Sequence, residues 1–131
     1  MILLDTHVWI WWVADPERLS APARAALDEA AARERLLVSS ISVWETAMLV
    51  ERGRLELRVD LTDWISRSEA LPYLKFVPVD NRIALEAVQL PRYRGKDPAD
   101  RLIVATALLV GASLVTKDRR MRAYRRVTTI W

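Results

Sequence analysis

The sequence predicts an α/β fold in which helices cover a mostly parallel sheet. Short apolar runs alternate along the chain with longer segments whose apolar residues recur at helical spacing, as in parallel sheets joined by helical crossovers. Five apolar runs occur, so we expect about five strands. The length of 131 residues and the apolar fraction of 52% fit one domain over residues 1–131 with a real core.

The strands are predicted where consecutive apolar residues stand between turn or cap residues. In chain order these runs are 2–4, 36–38, 76–79, 114–115 and 127–130. The segments between the strands have the three-to-four-residue apolar spacing of helices, and they are 6–14, 21–33, 43–51, 61–71, 81–90 and 98–110.

Boundary residues support several of these helices. Ser20 stands as a cap before the second helix, and Asp97 followed by Pro98 is typical of the start of the sixth. Asp97 is therefore assigned mainly to capping. Gly111 follows the sixth helix, where a helix end favours glycine. The looser stretch 89–96 is the best candidate for a mobile loop.

Composition excludes several kinds of site. Cysteine is absent, so the chain has no disulfide, thiolate metal site or cysteine nucleophile, and His7 as the single imidazole disfavours zinc. The three glycines are scattered and form no phosphate-binding loop. No apolar stretch approaches the ~20 residues that span a bilayer, which predicts a cytoplasmic protein without membrane contact. The net charge of +3 favours a polyanionic partner.

Four acids stand where strands end or helices begin. Asp5 ends the first strand and Asp118 follows the fourth. Asp100 lies in the first turn of the sixth helix, and Glu45 lies near the start of the third. Each also has an ordinary explanation: a helix cap for Asp5, a turn for Asp118 and a solvated first-turn acid for Asp100. The pattern Ser42-x-x-Glu45 is a capping box, which its own segment slightly favours.

Taken together, the four acids predict a metal site. Ligands of α/β sheets bind beyond the carboxyl ends of the strands, so the four carboxylates are expected to converge there. Close carboxylates repel one another unless cations neutralise them, and an all-oxygen site suits Mg²⁺ or Mn²⁺. Such a metal lowers the pKa of a bound water and orients it towards a phosphodiester. Thr116 is expected to point to the same side as Asp118 and to hydrogen-bond a carboxylate or a metal-bound water.

Basic residues surround the last of these acids. We expect them to hold phosphates beside the metal, the alternative being a solvated face. They are Lys117, Arg119, Arg120 and Arg122. A second basic cluster consists of Arg92, Arg94, Lys96 and Arg101.

The first helix is apolar on all its faces over residues 8–13, which include Trp9, Trp11 and Trp12. A lone small domain cannot shield every face of such a helix, so we expect a partner to cover part of it. The alternatives are burial in the core and, less favoured, base stacking on the tryptophans. Trp44 is expected in the core.

The order and spacing of these motifs resemble PIN-domain endoribonucleases, in particular the VapC-type toxins of toxin–antitoxin pairs. The resemblance spans nearly the whole chain. It rests on Leu3-Leu4-Asp5-Thr6-His7, on Ser39-x-x-Ser42-x-x-Glu45, on the stretch from Asp97-Pro98-Ala99-Asp100 to Ala107, and on Leu114-Val115-Thr116-Lys117-Asp118.

The resemblance implies a three-layer α/β/α sandwich and a metal-dependent cut in RNA. Asp5, Glu45, Asp100 and Asp118 would be the catalytic metal ligands for Mg²⁺ or Mn²⁺, with Glu45 acting directly or through a bound water. Thr6 and Thr116 would support them. The products would carry a 5′-phosphate and a 3′-hydroxyl. A homodimer is implied, as is a small antitoxin that lays a peptide into a groove near the acids. We expect a homodimer contact or an antitoxin groove to cover part of the first helix.

Three other functions compete with this interpretation. A phosphatase with Asp5 as nucleophile would need a second acid two residues later, where His7 stands. A receiver-like signalling domain would need a paired acid and a lone late lysine, whereas Lys117 adjoins Asp118. A non-catalytic RNA-binding module would keep the arginines but need none of the four acids.

Overall fold

The computed structural model, which describes residues 1–131, contains one sheet of five parallel strands. The strands are β1 (Ile2–Leu4), β2 (Leu36–Ser39), β3 (Leu74–Val77), β4 (Ser113–Val115) and β5 (Thr129–Ile130), and their order across the sheet is β3-β2-β1-β4-β5. The α-helices are α1 (Thr6–Ala14), α2 (Ala21–Ala32), α3 (Ser40–Glu51), α4 (Leu61–Glu69), α5 (Asn81–Gln89), α6 (Pro98–Val110) and α7 (Arg119–Ala123). A short 3₁₀ helix spans Pro16–Arg18. The predicted α/β fold with five strands is confirmed.

The helices form one layer on each face of the sheet, because successive strand residues point to opposite faces. Leu3 packs with buried residues of α5, α6 and α7. Leu4, the next residue, packs with buried residues of α1, α2 and α4. Helix α3 bridges the two layers, with Ile41 against the first cluster and Val43 against the second. The three-layer α/β/α sandwich is thereby confirmed, and no helix is long and apolar enough to cross a bilayer.

The register of the central strands aligns their carboxyl ends. Leu4 pairs with Val38 of β2 and with Val115 of β4. The residues that follow these three are Asp5, Ser39 and Thr116, so their side chains emerge side by side at one edge of the sheet. This edge is where the sequence places the site.

Several element boundaries differ from the predicted ones by one to three residues, and one helix was missed. Strand β3 begins at Leu74, which pairs with Leu36, and it ends before Pro78, a residue without the N–H that a strand donates. Helix α3 begins three residues before position 43, since the Ser39 hydroxyl accepts the N–H of Ile41 at 3.2 Å. Helix α7 was not predicted at all, because its five residues are too few to show a period.

The tryptophans divide between core and surface. Trp9 is fully buried, with its ring centre 4.6 Å from that of Trp64. Trp11 and Trp12 are half-buried, so much of α1 is covered by its own chain, and coverage of the rest by a partner stays a prediction. The prediction for Trp44 is wrong: it is 56% exposed, because α3 turns that side away from both core clusters.

The loop between α5 and α6 is tied down rather than loose. Arg101 donates to four backbone carbonyls around it, with nitrogen–oxygen distances of 2.7–3.2 Å, and these belong to Ala87, Val88, Tyr93 and Gly95. Gly95 fits because a Cβ there would lie 2.6 Å from Cε1 of Tyr93. The expectation of a mobile loop overlooked these contacts, and the guanidinium of Arg101 is no part of a free basic cluster.

Candidate metal centre

A cleft of about 480 Å³ opens at the carboxyl edge of the sheet, beyond β1 and β4. The four acids singled out from the sequence all line it, together with a fifth. The five are Asp5, Glu45, Asp97, Asp100 and Asp118, and the remaining lining residues are His7, Val8, Trp11 and Lys117. The predicted convergence of carboxylates is therefore what the fold produces.

Asp5 is the most deeply buried of the five, at 8% exposed. Its Oδ1 accepts the N–H of Thr6 at 2.8 Å, and its Oδ2 accepts the Thr116 hydroxyl at 2.7 Å. That hydroxyl in turn accepts the N–H of Asp118 at 3.0 Å, so one threonine joins the two acidic strand ends. Burial raises the pKa of Asp5, although these hydrogen bonds and nearby His7 favour its charged form.

Glu45 is held by hydroxyl groups and not by a capping box. The Thr6 hydroxyl donates to Glu45 Oε1 and lies 2.8 Å from the Ser42 hydroxyl. Because Thr6 has a single hydroxyl proton, Ser42 must be the donor to Thr6. The capping-box interpretation is wrong, since the helix begins earlier and Ser39 caps it. Burial raises the pKa of Glu45, and repulsion from Asp5 and Asp97 raises it further.

Asp97 belongs to the cluster as well as to the helix cap. Its Oδ1 accepts the N–H of Asp100 at 3.0 Å, which confirms the predicted cap, while its second oxygen has no protein partner. Carboxylate oxygens of Glu45, Asp97 and Asp100 lie within 4.8 Å of one another. The structure adds to the confirmed cap a position among the cleft acids, for which the sequence offers no signal because one carboxylate can serve both purposes.

Asp100 carries the clearest electrostatic signature. Burial, followed by repulsion from Asp5, Asp97, Glu45 and Asp118, raises its pKa to about 7. Asp118 caps α7 through Oδ1, which accepts the N–H of Met121 at 3.0 Å. Asp5, Asp97 and Asp118 thus each cap a helix and also line the cleft. A capping role for an acid therefore does not exclude that acid from the cleft.

Residues 2–127 match the PIN domain family. This chain is a PIN domain. It is 42% identical to Ribonuclease VapC22 of Mycobacterium tuberculosis over 132 residues, covering 99% of this chain and 98% of that one. Two solved structures share its fold. VapBC2 from Rickettsia felis, bound to a promoter DNA fragment, has a TM-score of 0.71 at 15% identity and covers 98% and 97% of the two chains. DNA-bound VapBC from Salmonella typhimurium has a TM-score of 0.67 at 18% identity and covers 98% and 95%.

The acidic cleft of this PIN domain suits a hard metal ion. None of the five acids takes part in a salt bridge, and Lys117 is the only lysine or arginine among the lining residues. The available ligand atoms are carboxylate oxygens, which Mg²⁺ and Mn²⁺ prefer. Burial raises the pKa of Asp5, Glu45 and Asp100, and repulsion from neighbouring carboxylates raises each of these pKa values further. The cluster is compatible with a metal ion.

The basic residues of the PIN domain lie at different distances from this cleft. Lys117 lines it directly. The three arginines expected to hold phosphates are exposed on α7, whose first residue follows Asp118, and they do not line the cleft. They are Arg119, Arg120 and Arg122. Sequence reasoning leaves His7 out of the catalytic set, because a lone helical histidine is more often packed or hydrogen-bonded, and it assigns Trp11 to an apolar helix face. Both residues line the cleft.

Proposed function

We propose that this PIN domain is a metal-dependent endoribonuclease and the toxin of a toxin–antitoxin pair. The observation that carries the proposal is the convergence of five carboxylates, none of them in a salt bridge, at the carboxyl edge of the sheet. The 42% identical relative is named a ribonuclease, and the similar solved structures are toxin–antitoxin complexes. The whole span 1–131 acts as one nuclease domain.

The proposed metal ligands are Asp5, Glu45, Asp100 and Asp118, with Asp97 as a fifth candidate. When bound, Mg²⁺ or Mn²⁺ would supply a water of lowered pKa and stabilise charge on the phosphate oxygens. The chain fixes the ligand geometry beforehand: the Thr116 hydroxyl orients Asp5, and the Thr6 hydroxyl orients Glu45. These contacts are of the kind that hold metal-binding carboxylates in place.

Lys117, Arg119, Arg120 and Arg122 are proposed to hold the RNA backbone on the α7 side of the cleft. Their positive charge offsets the repulsion between RNA phosphates and the acids. Removing one phosphate contact should weaken binding across sequences and reduce its salt dependence. Water attack would leave a 5′-phosphate and a 3′-hydroxyl.

A groove of about 430 Å³ beside the acids is the proposed antitoxin site. It runs between α3 and α6, and its walls include Ile41, exposed Trp44 and Met48. Glu45 and Asp97 lie at its boundary with the cleft, because both line the groove and the cleft. A peptide with apolar side chains and one basic side chain would fill the groove and neutralise the acids.

A homodimer is also proposed. Helix α5 exposes Leu85 at 59% and Val88 at 77%, an apolar pair that a second copy would cover. Sedimentation of the wild type and of Leu85→Glu tests this, and identical monomeric behaviour of both would remove the dimer from the proposal.

The test of the proposed function is RNA cleavage with and without Mg²⁺ or Mn²⁺. We expect the wild type to cut RNA only with metal and to leave 5′-phosphates, while Asp5→Asn is inactive. Asp28→Asn is the matched control, since Asp28 is exposed on α2 and far from the cleft in the fold. Cleavage that persists in EDTA, or that survives in Asp5→Asn, would contradict the proposal.

A further inference from the structure

Two neighbouring tryptophan rings with a cation at each end form a row along one border of the acidic cleft. The Lys117 Nζ lies 6.0 Å from the ring centre of Trp131, and that ring lies 6.0 Å from the ring of Trp11. The Arg18 guanidinium carbon lies 5.8 Å from the Trp11 ring centre. We call these four residues the aromatic ledge. Trp11 and Lys117 also line the acidic cleft, so the ledge adjoins the carboxylates.

The two ledge tryptophans are not core residues. Trp11 and Trp131 are each half-buried, whereas Trp9, two positions before Trp11, is fully buried. Helix α1 therefore has a core side that carries Trp9 and a ledge side that carries Trp11. Partly exposed indole rings beside cations are typical of surfaces that bind single-stranded nucleic acid, because unpaired bases stack on the rings and phosphates pair with the cations.

The positive charge continues beyond the ledge. Trp11 and Arg18 also line a second cavity of about 620 Å³, whose rim carries exposed Arg54, Arg58 and Arg67. Its acidic lining residues are Asp15 and Glu56. Arg18 contacts Asp15 at 3.3 Å, but both side chains are more than half exposed, and such a pair is weak and open to exchange. Four arginines face two acids here, whereas five acids face one lysine in the cleft.

We propose that the aromatic ledge binds an unpaired stretch of the RNA substrate next to the bond that is cut. Bases stack on Trp11 and Trp131, and Lys117 and Arg18 hold the phosphates between them. This inference rests on the proposed function and adds a substrate preference to it. Since every base offers a flat face, the ledge selects RNA that is single-stranded beside the cleft and does not select a sequence.

The test measures RNA binding by the full chain carrying Asp5→Asn, so that RNA is bound without being cut. The probes are a short labelled single strand and a blunt hairpin, and the readout is fluorescence anisotropy. Adding Trp11→Ala should weaken binding of the single strand about 10-fold, the loss expected for one stacked base. Trp11→Phe should restore most of the affinity, and hairpin binding should change little in either variant.

Trp12→Ala is the matched control, because Trp12 is the adjacent tryptophan on α1 and packs edge-on to Tyr73 at 5.5 Å. It should bind the single strand as the parent does, and thermal unfolding checks that all variants are folded. Equal losses in Trp11→Ala and Trp12→Ala, or equal losses on a strand that lacks bases, would overturn the ledge.

A final comparison separates the ledge from the proposed function. If the chain without Asp5→Asn cuts RNA and Trp11→Ala cuts single strands with unchanged KM, the ledge is wrong and the nuclease stands. If the wild type cuts no RNA with metal, the proposed function itself fails. Unchanged RNA binding together with weaker binding of a basic apolar peptide would reassign the ledge to the antitoxin.

Discussion

Asp100 and Arg101 are consecutive residues in the first turn of α6, yet their surroundings are opposite. Arg101 donates to four backbone carbonyls of the preceding segment. Asp100 faces four other acids and has no cationic partner, and its pKa is raised to about 7. The fold thus uses an adjacent positive charge to fasten a loop and leaves the carboxylate unneutralised. The contacts of Arg101 lower the free energy of folding, whereas the repelled charge of Asp100 raises it.

Removing the carboxylate should separate activity from stability. Asp100→Asn should reduce metal-dependent RNA cleavage at least ~100-fold, since even residues that only support a metal ligand cost 10–100-fold. The metal-free variant should be more stable than the wild type by about 1 kcal/mol above pH 7, because one repelled and partly buried charge is gone. Cleavage assays and urea unfolding measure the two effects. A variant that lost both activity and stability would mean that Asp100 is structural.

Removing the neighbouring guanidinium should lower the stability of the protein, whereas removing the Asp100 carboxylate should raise it. Arg101→Ala should lower the free energy of unfolding by about 2–3 kcal/mol, because it leaves buried carbonyls without donors. Arg101→Lys keeps the charge but cannot reach four acceptors at once, so it should recover only part of the loss. Urea unfolding measures both, with the exposed Arg24→Ala on α2 as control. Equal stability of Arg101→Ala and Arg24→Ala would show that the four contacts contribute nothing.

Asp97 lies between these two extremes, because it caps α6 and also belongs to the acidic cluster. Asparagine also caps helices, so Asp97→Asn should keep stability within about 0.5 kcal/mol. Its cleavage rate should still fall about 10-fold if the carboxylate contributes to the metal site. Asp80→Asn provides the matched control, since Asp80 caps α5 away from the cleft. Wild-type rates in Asp97→Asn would return Asp97 to a capping role alone.

The stability of the metal-free protein should depend on pH through the same carboxylate. Asp100 loses its proton near pH 4 when unfolded and near pH 7 when folded, so the unfolded state binds fewer protons between these values. The stability contributed by protonated Asp100 is therefore lost as pH rises from about 4 to 7. Wild type and Asp100→Asn should differ by about 1 kcal/mol more at pH 8 than at pH 4 in EDTA. A constant difference would contradict the raised pKa.

Much of the site follows from local rules that sequence displays. Asp5 and Asp118 are visible because an apolar strand precedes each of them, and parallel strands bring their ends together. Asp100 is visible because it falls one turn inside a helix whose cap is already occupied. Thr116 follows from the alternation of side chains in an extended segment, and its bond to Asp5 confirms this.

The errors came from contacts that no local pattern encodes. Arg101 was counted in a basic cluster because hydrogen bonds to the backbone carbonyls of the preceding segment leave no trace in composition. Trp44 was placed in the core because its helical neighbours on α3 are apolar. Those neighbours line a groove at the surface, which their apolar character alone does not reveal.

The hydrogen bond from Thr116 to Asp5 joins residues 111 positions apart in the chain. During synthesis the first strand and its acid leave the ribosome long before α6 and β4 exist. A nascent chain that ends after α5 holds Asp5 and Glu45 but lacks Asp97, Asp100, Thr116 and Asp118. It therefore lacks both the later acids and the strand partner that complete the acidic cluster. In a chain built in this order, the cluster comes together only after nearly all of the sequence is translated.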